Sequence, residues 1–365
     1  MSSFSSTSVD PIAEQRPHAS VRVFELHGPG AIAVAHRPLP AAGALMRVET
    51  TGVCGTDHHI WAGKIDVPLP QLLGHEVIGR LERLPADHAL VCSSPDALAE
   101  GDRVLIAPGV PCGECAGCLG DGRCLDRPCY GLTMTGDGLT GGFSPYMQLL
   151  PGTRVFRVPE GLAPARVVFA EPMACVLSAL RKAYGPRYVP AGLGGLVLGF
   201  GVIGLCSAVS IHASGGAVTV VEYDPTRRAL AAQLGFATAA SVEEAAELAL
   251  ARGGFPLVVD AAGTPAAFKS GLELLAWSGT LVEIGNFADL GEIAIKPSDI
   301  CLRDLRVIGS GETFYEDFDP AIALVASTSV ELARAITDVH RFDALADPSE
   351  LFTVRAAGKA MVTFT

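Results

Sequence analysis

Residues 193–211, LGGLVLGFGVIGLCSAVSI, run for nineteen positions without a formal charge, and no other stretch restricts the possible folds as strongly. Such a run is long enough to cross a bilayer as a helix. Five glycines fall within its first twelve positions, however, and a second apolar run, 217–221, soon follows and is closed by Glu222. A buried strand, a tight turn and the start of a buried helix account for this better, because a parallel sheet covered on both faces needs near-continuous apolar strands. The 365 residues have room for about two domains. From about 172 to 309, strand candidates at 195–198, 217–221, 257–260, 280–284 and 306–308 alternate with helical stretches at 225–234, 242–252, 266–275 and 297–302. Alternation of this kind predicts a doubly wound parallel sheet. From 20 to about 146 the pattern is different, with short β-like stretches at 21–26, 45–50, 75–82, 103–107 and 146–150 broken by Gly, Pro and Asp. Helices at 320–327 and 330–339 and a strand at 361–364 close the chain and are expected to return to the first domain.

Within the uncharged run stands Gly199-Phe200-Gly201-Val202-Ile203-Gly204, placed after the strand and at the start of the helix. A G-x-G-x-x-G alone says little, but this context is the one that a dinucleotide site requires. Gly199 allows the sharp turn, Gly201 lets the backbone approach a pyrophosphate, and Gly204 lets helix and strand pack closely. The first helical turn, with Val202 and Ile203, then offers free N–H groups to the phosphates. Glu222 ends the next strand, where a carboxylate accepts ribose hydroxyls and repels a 2′-phosphate. NAD is therefore expected over NADP, with Arg227 and Arg228 nearby to soften the preference.

Ten cysteines raise a redox question, and their placement answers it. Cys112, Cys115, Cys118, Cys124 and Cys129 crowd into eighteen residues, a spacing that suits thiolates around a metal in a reducing compartment better than a secreted disulfide framework. Cys112, Cys115, Cys118 and Cys124 can close a tetrahedral shell around one Zn²⁺, a structural role, with Cys129 as a competing fourth ligand. The N-terminal twenty residues are polar and lack a signal-peptide pattern. A cytoplasmic protein with a flexible tail at 1–20 is expected. The net charge of -12 argues against nucleic acid as partner.

A second constellation is dispersed: Cys54, Thr56, Asp57, His58 and His59, then His75 and Glu76, then Glu171 before Pro172. Three N, S or O ligands with an exchangeable position make a catalytic zinc site, and these clusters supply that set.

In these motifs, together with Gly141-Gly142-Phe143 and the run 100–104, the chain resembles the zinc-dependent medium-chain dehydrogenases/reductases, the family of alcohol and polyol dehydrogenases. The resemblance runs from about 21 to the C-terminus. It implies an α/β protein with a GroES-like β-rich catalytic domain (21–174 and 313–365) and a Rossmann NAD-binding domain (175–312), active in the cleft between them. It also implies two zinc ions per chain, NAD as cofactor, a small alcohol or ketone as substrate, no membrane partner, and a homodimer or homotetramer. Carried over by position, Cys54 and His75 are zinc ligands, with Glu171 or Glu76 completing the shell. Asp57 orients His75, and Thr56 and His59 relay the substrate's proton from a zinc-bound alkoxide as hydride passes to the nicotinamide. His58 has no assigned role. Three features depart from the family: the short gap between Cys118 and Cys124, Gly55 in place of a pyrophosphate-binding Arg, and an insertion at 83–99. Ile60, Trp61, Phe143, Met173 and Phe314 are the expected cleft lining, which favours a hydrophobic secondary alcohol. The alternatives are a polyol or sugar, an amino alcohol of the threonine type, and a non-catalytic nucleotide-binding protein.

Overall fold

The computed structural model describes residues 20–119, 124, 127–134, 138–286, 288–353 and 357–364. The expected tail lies outside them except for Ser20, which opens the first strand. In chain order the first strands are β1 (Ser20–Gly28), β2 (Ala31–Pro38), β3 (Ala44–Val53), β4 (Gln71–Leu72), β5 (Glu76–Arg83), β6 (Val91–Cys92), β7 (Arg103–Ile106), β8 (Tyr146–Leu149) and β9 (Arg154–Arg157). The middle of the chain gives β10 (Gly195–Leu198), β11 (Val218–Val221), β12 (Ala237–Ala239), β13 (Phe255–Asp260), β14 (Leu275–Glu283) and β15 (Arg306–Gly309). The last two are β16 (Ile336–Arg341) and β17 (Lys359–Thr363).

The middle strands form one parallel sheet in the order β12-β11-β10-β13-β14-β15. The order reverses direction at β10 and β13, and ligands of such sheets bind beyond the carboxyl ends of the strands at that switch point. The long uncharged run resolves into β10, the glycine turn and the helix Val202–Ala213, whose residues 204–211 are all buried. It packs against the longer helix Ala170–Tyr184. No helix among the described residues is long and apolar enough to cross a membrane.

The other strands build a sheet in the order β16-β17-β3-β5-β7-β9-β6, with β8 on β3, and a smaller sheet of β2-β1-β4. Here β17 is central, because Ala360 and Met361 pair antiparallel with Val53 and Gly52 of β3. The end of the chain therefore lies beside the residues that lead into Cys54. One expectation fails: 330–339 is not a helix but a 3-10 turn (Leu332–Ala335) followed by β16. Its alternating exposure and its parallel pairing with β17 supply a strand's partners, and these outweigh local helical preference. The insertion at 83–99 adds the edge strand β6, which pairs with β9 through Val91 and Arg154.

Candidate active site

Cys54 follows β3 and caps the helix Gly55–Trp61, whose Asp57 side chain turns back to accept the Cys54 backbone N–H at 2.9 Å. The other oxygen of Asp57 lies 3.4 Å from the Gly74 backbone nitrogen and 3.3 Å from His75 Nδ1. One fully buried carboxylate thus ties both clusters together and faces the imidazole, as a ligand-orienting group does. Burial works against a charge on His75, yet Asp57 and Cys54 hold its pKa well above the usual imidazole value.

Cys54, His75 and Glu76 bring one ligand atom each within 4.8 Å of one another. Glu76 Oε2 is ion-paired with Lys359, while its Oε1 is buried without a partner. A soft thiolate, an imidazole and an orphaned carboxylate oxygen form a donor set that fits a zinc ion. Gly52 keeps this space open, since a Cβ there would strike both Glu76 and Lys359. Glu171, in the first turn of Ala170–Tyr184, stands outside that tight group but close enough to feel it. Burial, then the neighbouring Glu76 charge, pushes its pKa up to about 7.

Lys359 is absent from the sequence expectations. It is 1% exposed, and Glu76 holds its charge against the cost of burial. The signal for it is faint, a single cation at the head of an apolar strand, and only the β17–β3 register carries it to the metal group. His58, to which no role is assigned, lies in the short helix, edge-on to Phe352 at 5.5 Å.

Thr56, His58 and His59 line one cleft with Cys54 and Glu76 on one side and Gly201, Val202, Ile203 and Arg227 on the other. The glycines hold the places that the motif demands. Gly199 has φ +85°, and a Cβ on it would meet Ala262, whereas a Cβ on Gly204 would run into the Gly199 carbonyl. A Cβ on Gly201 would point into open space, which is where a bound phosphate needs room. Glu222 reaches back across the turn, its Oε2 accepting from Phe200 N at 2.7 Å and its Oε1 from Asp224 N at 2.9 Å. Both oxygens keep lone pairs for a ribose. Arg228 is engaged with the Glu222 and Tyr223 carbonyls.

The four clustered cysteines converge. Their sulfurs are 3.9 Å (Cys112 to Cys118), 4.0 Å (Cys115 to Cys124) and 3.6 Å (Cys124 to Cys112) apart. Tetrahedral zinc with bonds of about 2.3 Å separates its sulfurs by about 3.8 Å, so the cluster fits the ion. Backbone N–H groups of Cys112, Cys115 and Cys118 each point at a neighbouring sulfur at 3.4 Å. Cys129 is not in the group, and its sulfur faces the Arg127 carbonyl at 3.5 Å.

The expected apolar lining is mostly elsewhere. Ile60, Phe143 and Met173 are buried in the cores, and Trp61 stacks on Phe352. A cavity of about 390 Å³ instead opens beside Phe314, lined by Arg127, Arg154, Glu312, Thr313 and Tyr315. Arg127 pairs with Glu312 at 2.8 Å, and Arg154 lies over the Tyr315 ring with its Nε buried and unpartnered. On the wall of this cavity the Thr313 hydroxyl is 3.1 Å from Cys175, whose sulfur is 3.6 Å from Glu171.

Comparison with known proteins gives consistent matches. Residues 40–160 match the alcohol dehydrogenase GroES-like domain, and residues 202–327 match the zinc-binding dehydrogenase family. The chain is 31% identical to D-altritol 5-dehydrogenase of Agrobacterium fabrum, over 88% of this chain and 91% of the relative. It is 28% identical to L-galactonate-5-dehydrogenase of Escherichia coli, over 90% and 94%. In structure it resembles an alcohol dehydrogenase from Thermotoga maritima, with a TM-score of 0.86, 23% identity and coverage of 94% and 99%.

Proposed function

The chain belongs to the zinc-containing medium-chain alcohol and polyol dehydrogenases, and from that premise we propose that it oxidises a secondary hydroxyl of a polyhydroxylated substrate with NAD. The family makes it a zinc-dependent, NAD(P)-linked oxidoreductase of alcohols or polyols. The observation that carries the finer reading is the charged cavity at Thr313. Its ion-paired Arg127 and Glu312, the unpartnered Arg154 Nε and the Tyr315 ring suit a chain of hydroxyl groups and are costly beside a purely apolar alcohol. The names of the two relatives also place their reactions at carbon 5 of a hexitol and of a sugar acid, both of them secondary positions.

Zinc held by Cys54, His75 and a carboxylate of Glu76 or Glu171 supplies a Lewis acid that makes a hydroxyl far more acidic at neutral pH. Thr56 stands in the cleft to take the hydroxyl proton, and His59 to pass it to solvent. Asp57 keeps the His75 ring in its ligating orientation, and Lys359 holds one oxygen of Glu76 while the other is left without a partner. Glu222, placed to accept the adenosine ribose, is the basis for NAD over NADP. At the sheet-edge strand β15 Val307 is exposed, as are Trp277 on β14 and Leu302 on the helix Pro297–Leu302, and exposed apolar side chains there support the homodimer or homotetramer that the family resemblance implies.

The test is NADH formation by the zinc-loaded enzyme over hexitols, sugar acids and apolar secondary alcohols of equal length. We expect kcat/KM for the best polyhydroxylated compound to exceed that of the best apolar alcohol by about tenfold or more, with NAD preferred to NADP. The reverse order of substrates would overturn the reading.

A further inference from the structure

Two acidic groups of the nucleotide-binding sheet take no part in the chemistry above. Asp260 and Glu283 end β13 and β14 and face one another as register partners across that parallel pair. Asp260 is 0% exposed. One oxygen of each carboxyl holds the loop that follows its strand. Asp260 Oδ1 accepts from the backbone N–H of Ala262 at 3.0 Å and of Gly263 at 3.2 Å, and Glu283 Oε1 accepts from those of Gly285 and Asn286, both at 2.9 Å. The second oxygens, Asp260 Oδ2 and Glu283 Oε2, are buried and have no donor, on two residues that the strand register sets side by side.

The two loops also touch. A Cβ on Gly285 would strike the Gly263 backbone, and one on Gly263 would strike the Gly285 carbonyl. Ala261, Ala262, Ile284 and Gly285 form the wall of the cleft that also holds Cys54 and Thr56, and Ala262 supports the glycine turn at Gly199. Whatever fixes these loops therefore shapes the cofactor's seat.

We propose that Asp260 and Glu283 share one proton and act as a positioning pair, locking the two loops together so that cofactor affinity falls when that proton leaves. Two buried acceptors without a donor are unfavourable, and a single O–H···O bond between them removes the conflict. The charges around the pair agree. Glu283 is the charged group facing Asp260 from β14, while β10 on its other side brings the apolar Leu198. Glu222 is turned onto Phe200, and beyond β14 Lys182 is occupied by Ser310 and the Glu312 carbonyl. Burial, and after it Glu283, pushes the Asp260 pKa up to about 7. The sign follows from this. Below that pH the pair carries one negative charge and one hydrogen bond, and above it two anions repel across the joint. One proton linked to binding permits at most about a tenfold change in Kd per pH unit.

The inference rests on the reading of this cleft as the dinucleotide site. Its test is the NADH dissociation constant of the zinc-loaded enzyme, followed by nucleotide fluorescence between about pH 6 and about pH 8.5. For the native chain we expect Kd to rise about three- to tenfold across that range. Glu283→Gln offers an amide N–H to the Asp260 carboxylate in place of the shared proton, so its affinity should match the native value at the acid end and change less than about twofold thereafter. Asp260→Asn makes the reciprocal substitution and serves if Glu283→Gln does not fold. Native pH dependence retained in the folded variant overturns the pair, as does a flat native profile. A native enzyme that binds no NADH at any pH would instead overturn the dinucleotide reading, and the pair with it.

Discussion

Replacing His75 with alanine should leave one zinc ion per chain where the proposed function expects the native enzyme to hold two, and should cut alcohol turnover by about a thousandfold or more. The imidazole is the proposed ligand toward which Asp57 is aimed, and among the described residues no other histidine joins Cys54 and Glu76 in the group. Its removal leaves a thiolate and a carboxylate, too few protein ligands for a catalytic site. On the proposed reading the cofactor is gripped elsewhere, by the glycine turn and Glu222, so NADH affinity should stay within about threefold of native. Metal analysis, steady-state rates and a binding titration on the same sample separate these outcomes. A variant that keeps two zinc ions and normal turnover would remove His75 from the site.

Substituting Cys124 with serine should damage folding more than chemistry. Three of the sulfur pairs are 3.6 to 4.0 Å apart, and Cys124 is the one buried member of the four. Structural zinc binding contributes on the order of 10 kcal/mol, comparable with the whole net stability of a domain. The Cys124→Ser protein should therefore accumulate as insoluble chain, or lose about one zinc and melt well below native. Serine at Cys129, whose sulfur faces a backbone carbonyl, should leave the zinc count at two. Zinc content and thermal melting of the two variants check this. Equal zinc loss in both would show that Cys129 shares the ion.

What could be read from the sequence was the part whose steric demands are local. Gly199, Gly201 and Gly204 each meet a need set within one turn of chain, and the cysteine spacing 112, 115, 118 constrains its own geometry. Cys54, His75 and Glu76 could be paired because the family motifs give each a position. Lys359 and the Asp260–Glu283 pair were out of reach, since strand register alone brings them to their partners. Ile60, Phe143 and Met173 misled for a related reason: they sit beside site residues or in a family motif in sequence, but their side chains turn into the cores. At 330–339 local preference pointed to a helix, and β17 supplied a strand partner that no local pattern reveals.

The most direct test of the central claim follows the hydrogen itself. The zinc-loaded enzyme is given NAD and a hexitol carrying deuterium on its secondary carbons, and nucleotide and sugar are weighed by mass spectrometry. The account predicts NADH that is one deuterium heavier, together with a ketose that has lost one deuterium. Unlabelled NADH formed together with an aldose would mean that a primary hydroxyl is oxidised, and unchanged nucleotide with every hexitol would contradict polyol oxidation altogether.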